Sequence, residues 1–280
     1  MAHRRHRPVT STGTPIHLAG AGSSGDPDVL FLHATGFCKE VWRPVVASLD
    51  EQRPATRSLA LDLRGHGDSP RGEPPYRWDQ LTDDVILTLG QHSGVVGVGH
   101  SCGGAVIARA AALVPSLFSA MILIEPIILP PPYRRENIPL ARAAQRRRNR
   151  FASRDAAYER FLSGPMETWQ PEALAAYVDF GFVDDGDGVA IKCEPAVEAD
   201  MFREGWNHDT WDLVPDISVP VTIASGELSE THTPPFLDAL HSQFNDPTMV
   251  VVPETGHFLP MERPDVVASL IVGALDNESP

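Results

Sequence analysis

The residues able to do chemistry concentrate in Val95-Val96-Gly97-Val98-Gly99-His100-Ser101-Cys102-Gly103-Gly104. An apolar, valine-rich run of strand type leads into Gly99-x-Ser101-x-Gly103, and an alanine-rich helical pattern follows from Ala105 to Leu113. That order is strand, sharp turn, helix, with a serine at the tip. Glycines flank the serine because so tight a turn leaves no room for side chains there. The turn lifts the Ser101 hydroxyl clear of the backbone. It also leaves the Cys102 N–H at a helix N-terminus, unpaired and aimed at whatever Ser101 attacks. The chemistry implied is nucleophilic attack on a carbonyl. The competing reading is a glycine-rich strand-to-helix turn that carries a serine by chance.

A serine hydroxyl needs a base, and the base needs an acid to orient it. Met249-Val250-Val251-Val252-Pro253 reads as a short buried strand, followed by the loop Glu254-Thr255-Gly256-His257-Phe258 and a helix from about Pro264. A histidine on a loop beyond a late strand can reach across the top of a sheet, so His257 is the candidate base. His3 and His6 lie in a polar tail, and His92 and His241 in surface patterns. His208 and His232 lie in loops able to approach the site and stay open as alternatives.

Four motifs, spread over nearly the whole chain, resemble the α/β-hydrolase superfamily, in its lid-bearing serine esterase, lactonase and haloperoxidase-like branch. Val29-Leu30-Phe31-Leu32-His33-Ala34-Thr35-Gly36-Phe37, with Trp42 beyond, is similar to that family's His-Gly oxyanion loop. Asp62-Leu63-Arg64-Gly65-His66-Gly67-Asp68-Ser69 resembles the loop after its fourth strand. The serine turn and Gly256-His257 complete the set. The resemblance implies an oxyanion hole formed by the backbone N–H groups of Thr35 and Cys102. It implies no cofactor and no metal. Ala34 stands where the family usually has glycine.

The acid departs from the commonest pattern. The aspartate expected after the seventh strand falls on Ser229, in Gly226-Glu227-Leu228-Ser229-Glu230. A hydroxyl cannot stabilise an imidazolium as a carboxylate does. The family's other location is the end of the sixth strand, as in some haloalkane dehalogenases and zearalenone lactonases. Here Ala120-Met121-Ile122-Leu123-Ile124 ends in Glu125-Pro126. A carboxylate closing a buried strand lies where such sheets bind ligands, and it is costly to bury without a partner. Glu125 is therefore the expected acid. Glu230 and Glu227 stay open, as does a purely structural role for Glu125.

These residues need a sheet to hold them. Strand patterns fall near 29–33, 56–61, 95–99, 121–125, 220–225 and 248–252, with weak early signals in Thr10–Leu18. Helical patterns fall near 40–49, 78–91, 104–113, 234–243 and 264–276. Such alternation gives an α/β class with a mostly parallel sheet covered by helices on both faces. The resemblance makes it eight-stranded, with a helical lid inserted after strand 6. The expected division is a core of 1–126 and 219–280 and a lid of 127–218.

That insertion opens with Pro130-Pro131-Pro132, a stiff exit from the sheet. It then reads as helices with polar loops. Arg142, Arg146, Arg147, Arg148 and Arg150 give either a solvated face or an electropositive mouth for anionic substrates. Asp184-Asp185-Gly186-Asp187-Gly188 lacks the downstream glutamate of a calcium loop and reads as a turn. Trp169, Tyr177, Phe180, Phe182, Met201, Phe202, Trp206 and Trp211 supply apolar bulk. Phe37, Trp206 and Phe258 are candidate pocket residues.

A net charge of −14 argues against a nucleic-acid surface. Three cysteines, Cys38, Cys102 and Cys193, have no metal or disulfide spacing, which fits a cytoplasmic setting. A basic start with no apolar run behind it is not a signal peptide, and no apolar stretch approaches a membrane span. The expected partner is a small-molecule ester or lactone; a homodimer stays open. Serine in place of aspartate at the turn argues against epoxide-hydrolase and dehalogenase chemistry. C–C bond hydrolysis, perhydrolysis and ligand binding without turnover remain alternatives to ester cleavage.

Overall fold

The computed structural model describes residues 16–19, 26–131, 138–164 and 166–277. Valine- and leucine-rich runs without polar alternation form its central strands, because both faces of these strands are covered. β2 (Val29–Leu32), β4 (Val95–His100) and all but one residue of β5 (Phe118–Ile124) are buried along their length. With β1 (Ile16–Ala19), β3 (Ser58–Leu61), β9 (Val221–Gly226) and β10 (Thr248–Val252) they make one sheet in the order β1-β3-β2-β4-β5-β9-β10. β1 runs antiparallel to β3, and the other six strands are parallel.

The described residues thus hold seven strands in this sheet, one fewer than the eight expected. Of the early signal at Thr10–Leu18, Ile16 onward is strand; residues 10–15 lie outside the described residues, as do His3 and His6. So does Pro132 of the proline run.

Helices α1 (Arg43–Gln52) and α11 (Pro264–Asp276) pack on each other, as do α2 (Trp78–Leu89) and α3 (Cys102–Leu113). α3 and α11 both lie against β4 and β5. The sheet can therefore present only its carboxyl edge, where β2, β4, β5 and β10 all end, to a ligand.

Between β5 and β9 run helices α4 (Ile138–Arg146), α5 (Arg154–Leu162), α6 (Pro171–Phe180), α7 (Pro195–Glu204) and α8 (Thr210–Leu213). Strands β6 (Arg150–Phe151), β7 (Phe182–Asp185) and β8 (Gly188–Ile191) interleave with them and form a small antiparallel sheet, β6-β8-β7. This sheet adds short strands to a stretch expected to be mostly helical. The Asp184–Gly188 segment is indeed a turn, but it is a two-residue hairpin turn between β7 and β8, with Gly186 at φ +62. The stretch is tied to the rest of the chain. The Trp78 indole donates to the Met201 carbonyl at 3.2 Å, and Asp200 accepts the Tyr76 N–H at 2.7 Å.

Close approach explains the glycines of the serine turn. A Cβ on Gly103 would sit 2.3 Å from the Leu32 carbonyl oxygen, and one on Gly99 would sit 2.6 Å from the Gly103 backbone. Backbone cannot step aside as a flexible side chain can. Gly273, on the exposed side of α11, has nothing within 4 Å of the same point. Gly103→Ala is expected to cost about 3 kcal/mol or more. Gly273→Ala is expected to stabilise by about 0.5–1 kcal/mol, because alanine loses less backbone freedom in a helix. Urea denaturation of the two variants checks both signs. A Gly103→Ala protein as stable as the parent would mean that α3 does not approach β2 so closely.

Candidate active site

Two non-glycine residues at the carboxyl ends of neighbouring strands have positive φ: Ser101 at +55 after β4, and Glu125 at +49 after β5. Each such backbone costs on the order of 1–3 kcal/mol and persists only where its surroundings over-determine it. Here the two turns hold each other. The Ser101 N–H donates to the Ile124 carbonyl at 2.9 Å, and the Ile127 N–H donates to the Ser101 carbonyl at 3.2 Å. The Glu125 N–H is fixed from the other side by the Ala224 carbonyl of β9, at 2.9 Å.

The Glu125 side chain is wholly buried. Its Oε1 accepts the Gly226 N–H at 2.9 Å, and its Oε2 accepts the Ser229 hydroxyl at 2.6 Å. His257 Nδ1 lies 3.0 Å from Oε2 in hydrogen-bonding geometry. His232 Nδ1 lies 2.7 Å from the same oxygen, without the alignment of a hydrogen bond. Burial alone would raise the carboxyl pKa. The contacts with His232 and His257 outweigh burial and hold it well below the usual range.

His257 follows β10 and is held at three points. Its carbonyl accepts from His100 Nε2 at 2.8 Å, its Nδ1 meets Glu125, and the Gly256 N–H before it donates to Glu262 Oε2 at 2.8 Å. Glu262 Oε1 accepts the Thr168 hydroxyl at 2.7 Å.

The Ala34–Phe37 loop is braced by two buried histidines. His33 Nε2 accepts the Leu63 N–H and His66 Nε2 accepts the Gly36 N–H, each at 3.0 Å. Below them Lys39, also buried, donates to Asp62 at 2.6 Å and to Asp68 at 3.0 Å. Burial works against its charge, but these two carboxylates outweigh it and raise its pKa. The Cys102 thiol lies against the Thr35 side chain, which brings the two expected oxyanion residues together. Burial pushes that thiol far above its ordinary range, so Cys102 is no competing nucleophile.

Ser101, His257 and Thr35 line one cavity of about 1100 Å³. The expected pocket residues Phe37, Trp206 and Phe258 line it too. Phe37, Tyr177 and Phe258 of its lining belong to a cluster of rings: Phe37 packs on Trp169, Tyr177 and Phe258 at centroid distances of 5.1, 5.5 and 5.8 Å. Arg147, Arg148 and Arg160 supply its cations. Arg147 is paired with Glu198, whereas Arg148 and Arg160 are exposed.

Among the alternatives, Glu230 lines the cavity but does not meet His257, and Glu227 accepts the Glu254 N–H at 3.1 Å. His208 stacks on Trp78 at 4.8 Å. Ser229, which in sequence is only a missing aspartate, and His232, which in sequence is one of two loop alternatives, both converge on Glu125. Among the described residues Glu125, His232 and His257 are the one cluster with metal-ligand proximity.

A sequence profile described as the alpha/beta hydrolase family matches residues 29–270. The chain is 25% identical over 253 residues to 2-(acetamidomethylene)succinate hydrolase of Mesorhizobium japonicum, covering 89% of this chain and 88% of that one. A crystal structure of E-2-(acetamidomethylene)succinate hydrolase superposes with TM-score 0.77 at 25% identity, covering 90% of this chain and 92% of that one. The enol-lactonase of Burkholderia xenovorans LB400 superposes with TM-score 0.68 at 22% identity, covering 90% and 92%. No helix among the described residues is long and apolar enough to cross a membrane.

The buried histidines give the site a pH signature. Burial, with the neighbouring His33, pushes His66 down to about 3, and burial, with His257, pushes His100 down to about 3. In the unfolded chain these rings take up protons below their ordinary 6.5 while the folded protein refuses them. Stability from each ring is thus full above about 6.5 and falls as pH drops toward 3, by about 1.4 kcal/mol per pH unit for each ring. His66→Gln keeps an acceptor for the Gly36 N–H but cannot titrate. Urea midpoints measured between pH 7 and 4 are expected to fall less steeply for this variant than for the parent. Parallel slopes would exclude a neutral, buried His66.

Proposed function

Because the chain belongs to the alpha/beta hydrolase family, we propose that it is a serine hydrolase that cleaves a carboxylic ester or lactone through an acyl-enzyme. One observation carries the reading. Ser101, on its strained turn, opens into the same cavity as His257, whose Nδ1 lies 3.0 Å from the buried Glu125 carboxylate.

Glu125 occupies Nδ1 and leaves Nε2 of His257 to serve the reaction. His257 takes the Ser101 proton as Oγ bonds to the substrate carbonyl carbon, and the electron pair of the C=O moves onto oxygen. The backbone N–H groups of Thr35 and Cys102 stabilise that oxyanion. The oxyanion collapses, the C–O bond to the leaving alcohol breaks, and His257 gives the alcohol its proton. Water, losing a proton to His257, then attacks the acyl-serine; the acid leaves and Ser101 regains its hydrogen. Glu125 keeps the imidazole in one tautomer and offsets its charge. Residues 127–218 serve as a lid, and the aromatic cavity beneath it receives the acyl group.

A fluorophosphonate is expected to label Ser101, and a panel of chromogenic esters and lactones of graded size to reveal turnover. Ser101→Ala is expected to lose labelling and several orders of magnitude in turnover while remaining folded. Glu125→Gln is expected to lose up to about 10⁴-fold in kcat, and Glu230→Gln far less. Full turnover by Ser101→Ala, or the larger loss at Glu230, would overturn the assignment. If Arg148 and Arg160 attract anionic substrates to the mouth, kcat/KM for those substrates falls with added salt while neutral esters are unaffected. Equal salt dependence for both would remove that role.

A further inference from the structure

His232 precedes α9 (Pro234–Gln243), has a side chain with no solvent exposure and takes no part in the reaction above. Its ring lies between two oxygens. Nε2 is 3.1 Å from the Pro126 carbonyl oxygen, and Nδ1 is 2.7 Å from Glu125 Oε2. A carbonyl oxygen can only accept, so Nε2 carries a proton. A bare Nδ1 would then sit 2.7 Å from a carboxylate oxygen, two negatively polarised atoms in contact, which is repulsive.

The contact becomes attractive if Nδ1 also carries a proton, or if Glu125 does. The surroundings of Glu125 favour the first. Gly226 N–H donates to Oε1. Ser229 Oγ accepts the His232 N–H at 3.0 Å and the Thr231 N–H at 3.3 Å, and so points its own hydrogen at Oε2. A carboxyl ringed by donors is held ionised.

We propose that His232 is a buried imidazolium that shares the Glu125 carboxylate with His257, and is thereby a positioning residue that weakens the hold of Glu125 on the proton that His257 takes from Ser101. The role of His257 rests on the function proposed above; the charge of His232 does not. Glu125 and His232 make a neutral pair at rest. When His257 is protonated the cluster carries one net positive charge, matched by the oxyanion at Thr35 and Cys102. In a triad with one histidine the whole carboxylate charge favours the imidazolium. Here part of it is already spent on His232, so His257 releases its proton more readily to a leaving group.

The other groups around His232 do not supply this charge. His100, at the end of β4, is neutral because burial and His257 push it down to about 3. Phe236 of α9 packs its ring edge-on at 4.8 Å. Glu230, two residues away, faces the cavity.

The test uses the full chain and His232→Asn, which removes the charge and keeps a donor. The pH dependence of kcat/KM for 4-nitrophenyl acetate, and of the rate of fluorophosphonate labelling, is measured for both proteins. The acid limb is expected to move to higher pH by about one unit in the variant, because a like charge near His257 has gone. A limb that stays in place in a folded variant overturns the tuning role. In the parent, the ¹⁵N-histidine spectrum at pH 7 is expected to show a ring with both nitrogens protonated whose signal is absent from His232→Asn. A bare nitrogen on His232 overturns the proposal even if the variant does not fold. If the parent neither labels nor hydrolyses any ester, the reaction assigned to Ser101 fails, and the spectrum still decides the charge.

Discussion

A carboxylate with no access to water must be surrounded by donors or it cannot stay ionised, and Glu125 imposes that requirement on three segments distant in sequence. β5 ends on it. The end of β9 supplies Gly226 N–H, the turn after it the Ser229 hydroxyl, and the loop after β10 supplies His257. Each donor is also a constraint on where its own segment lies. The 3.0 Å contact with His257 is thus held as much by the packing of β9 between β5 and β10 as by the histidine itself.

Strain accompanies this convergence. Ser101 and Glu125 both leave the ordinary φ range where their strands stop, and each turn supplies a hydrogen bond to the other. The sheet is what makes this tolerable. β4 and β5 are paired along their length and, Ser119 aside, buried, so relaxing either turn would disturb buried strands. Gly99 and Gly103 admit α3 so close to β2 and β4 that a single methyl group would meet backbone.

The serine turn was legible because its signal is local: glycine spacing, an apolar strand before it and a helix after it. His257 was legible from one loop beyond a late strand. Glu125 took two steps, since Ser229 had to be seen as unable to serve before a carboxylate at the end of a buried strand became the better candidate. His232 could not be singled out in the same way. Its meaning depends on Pro126 and Glu125, more than a hundred residues away, and nothing in the sequence around it differs from an ordinary loop histidine. The β6-β8-β7 sheet escaped for another reason. Its strands are two to four residues long and partly polar, too short for alternation to register, although their hairpin turn was visible. The arginine-rich segment mixed two environments that periodicity does not separate. Arg142 and Arg146 are exposed on α4, whereas Arg147, just past its end, turns inward to Glu198.

The stretch between β5 and β9 does more than cover the cavity, because it reaches both ends of the site through carboxylates. Lys192 donates to Asp68 at 2.5 Å; Asp68 shares Lys39 with Asp62, under the loop that carries Thr35. At the other end Thr168 holds one oxygen of Glu262, whose second oxygen holds the N–H of Gly256, next to His257. Lys192 and Asp68 are partly exposed, where an ion pair contributes little to stability. Thr168 and Glu262 form a neutral-to-charged hydrogen bond at a largely buried carboxylate, and losing it would leave that oxygen short of a donor. The coupling of this stretch to the site is therefore unequal: weak at the Thr35 loop, whose buried lysine and histidines hold it independently, and stronger at the loop that carries His257.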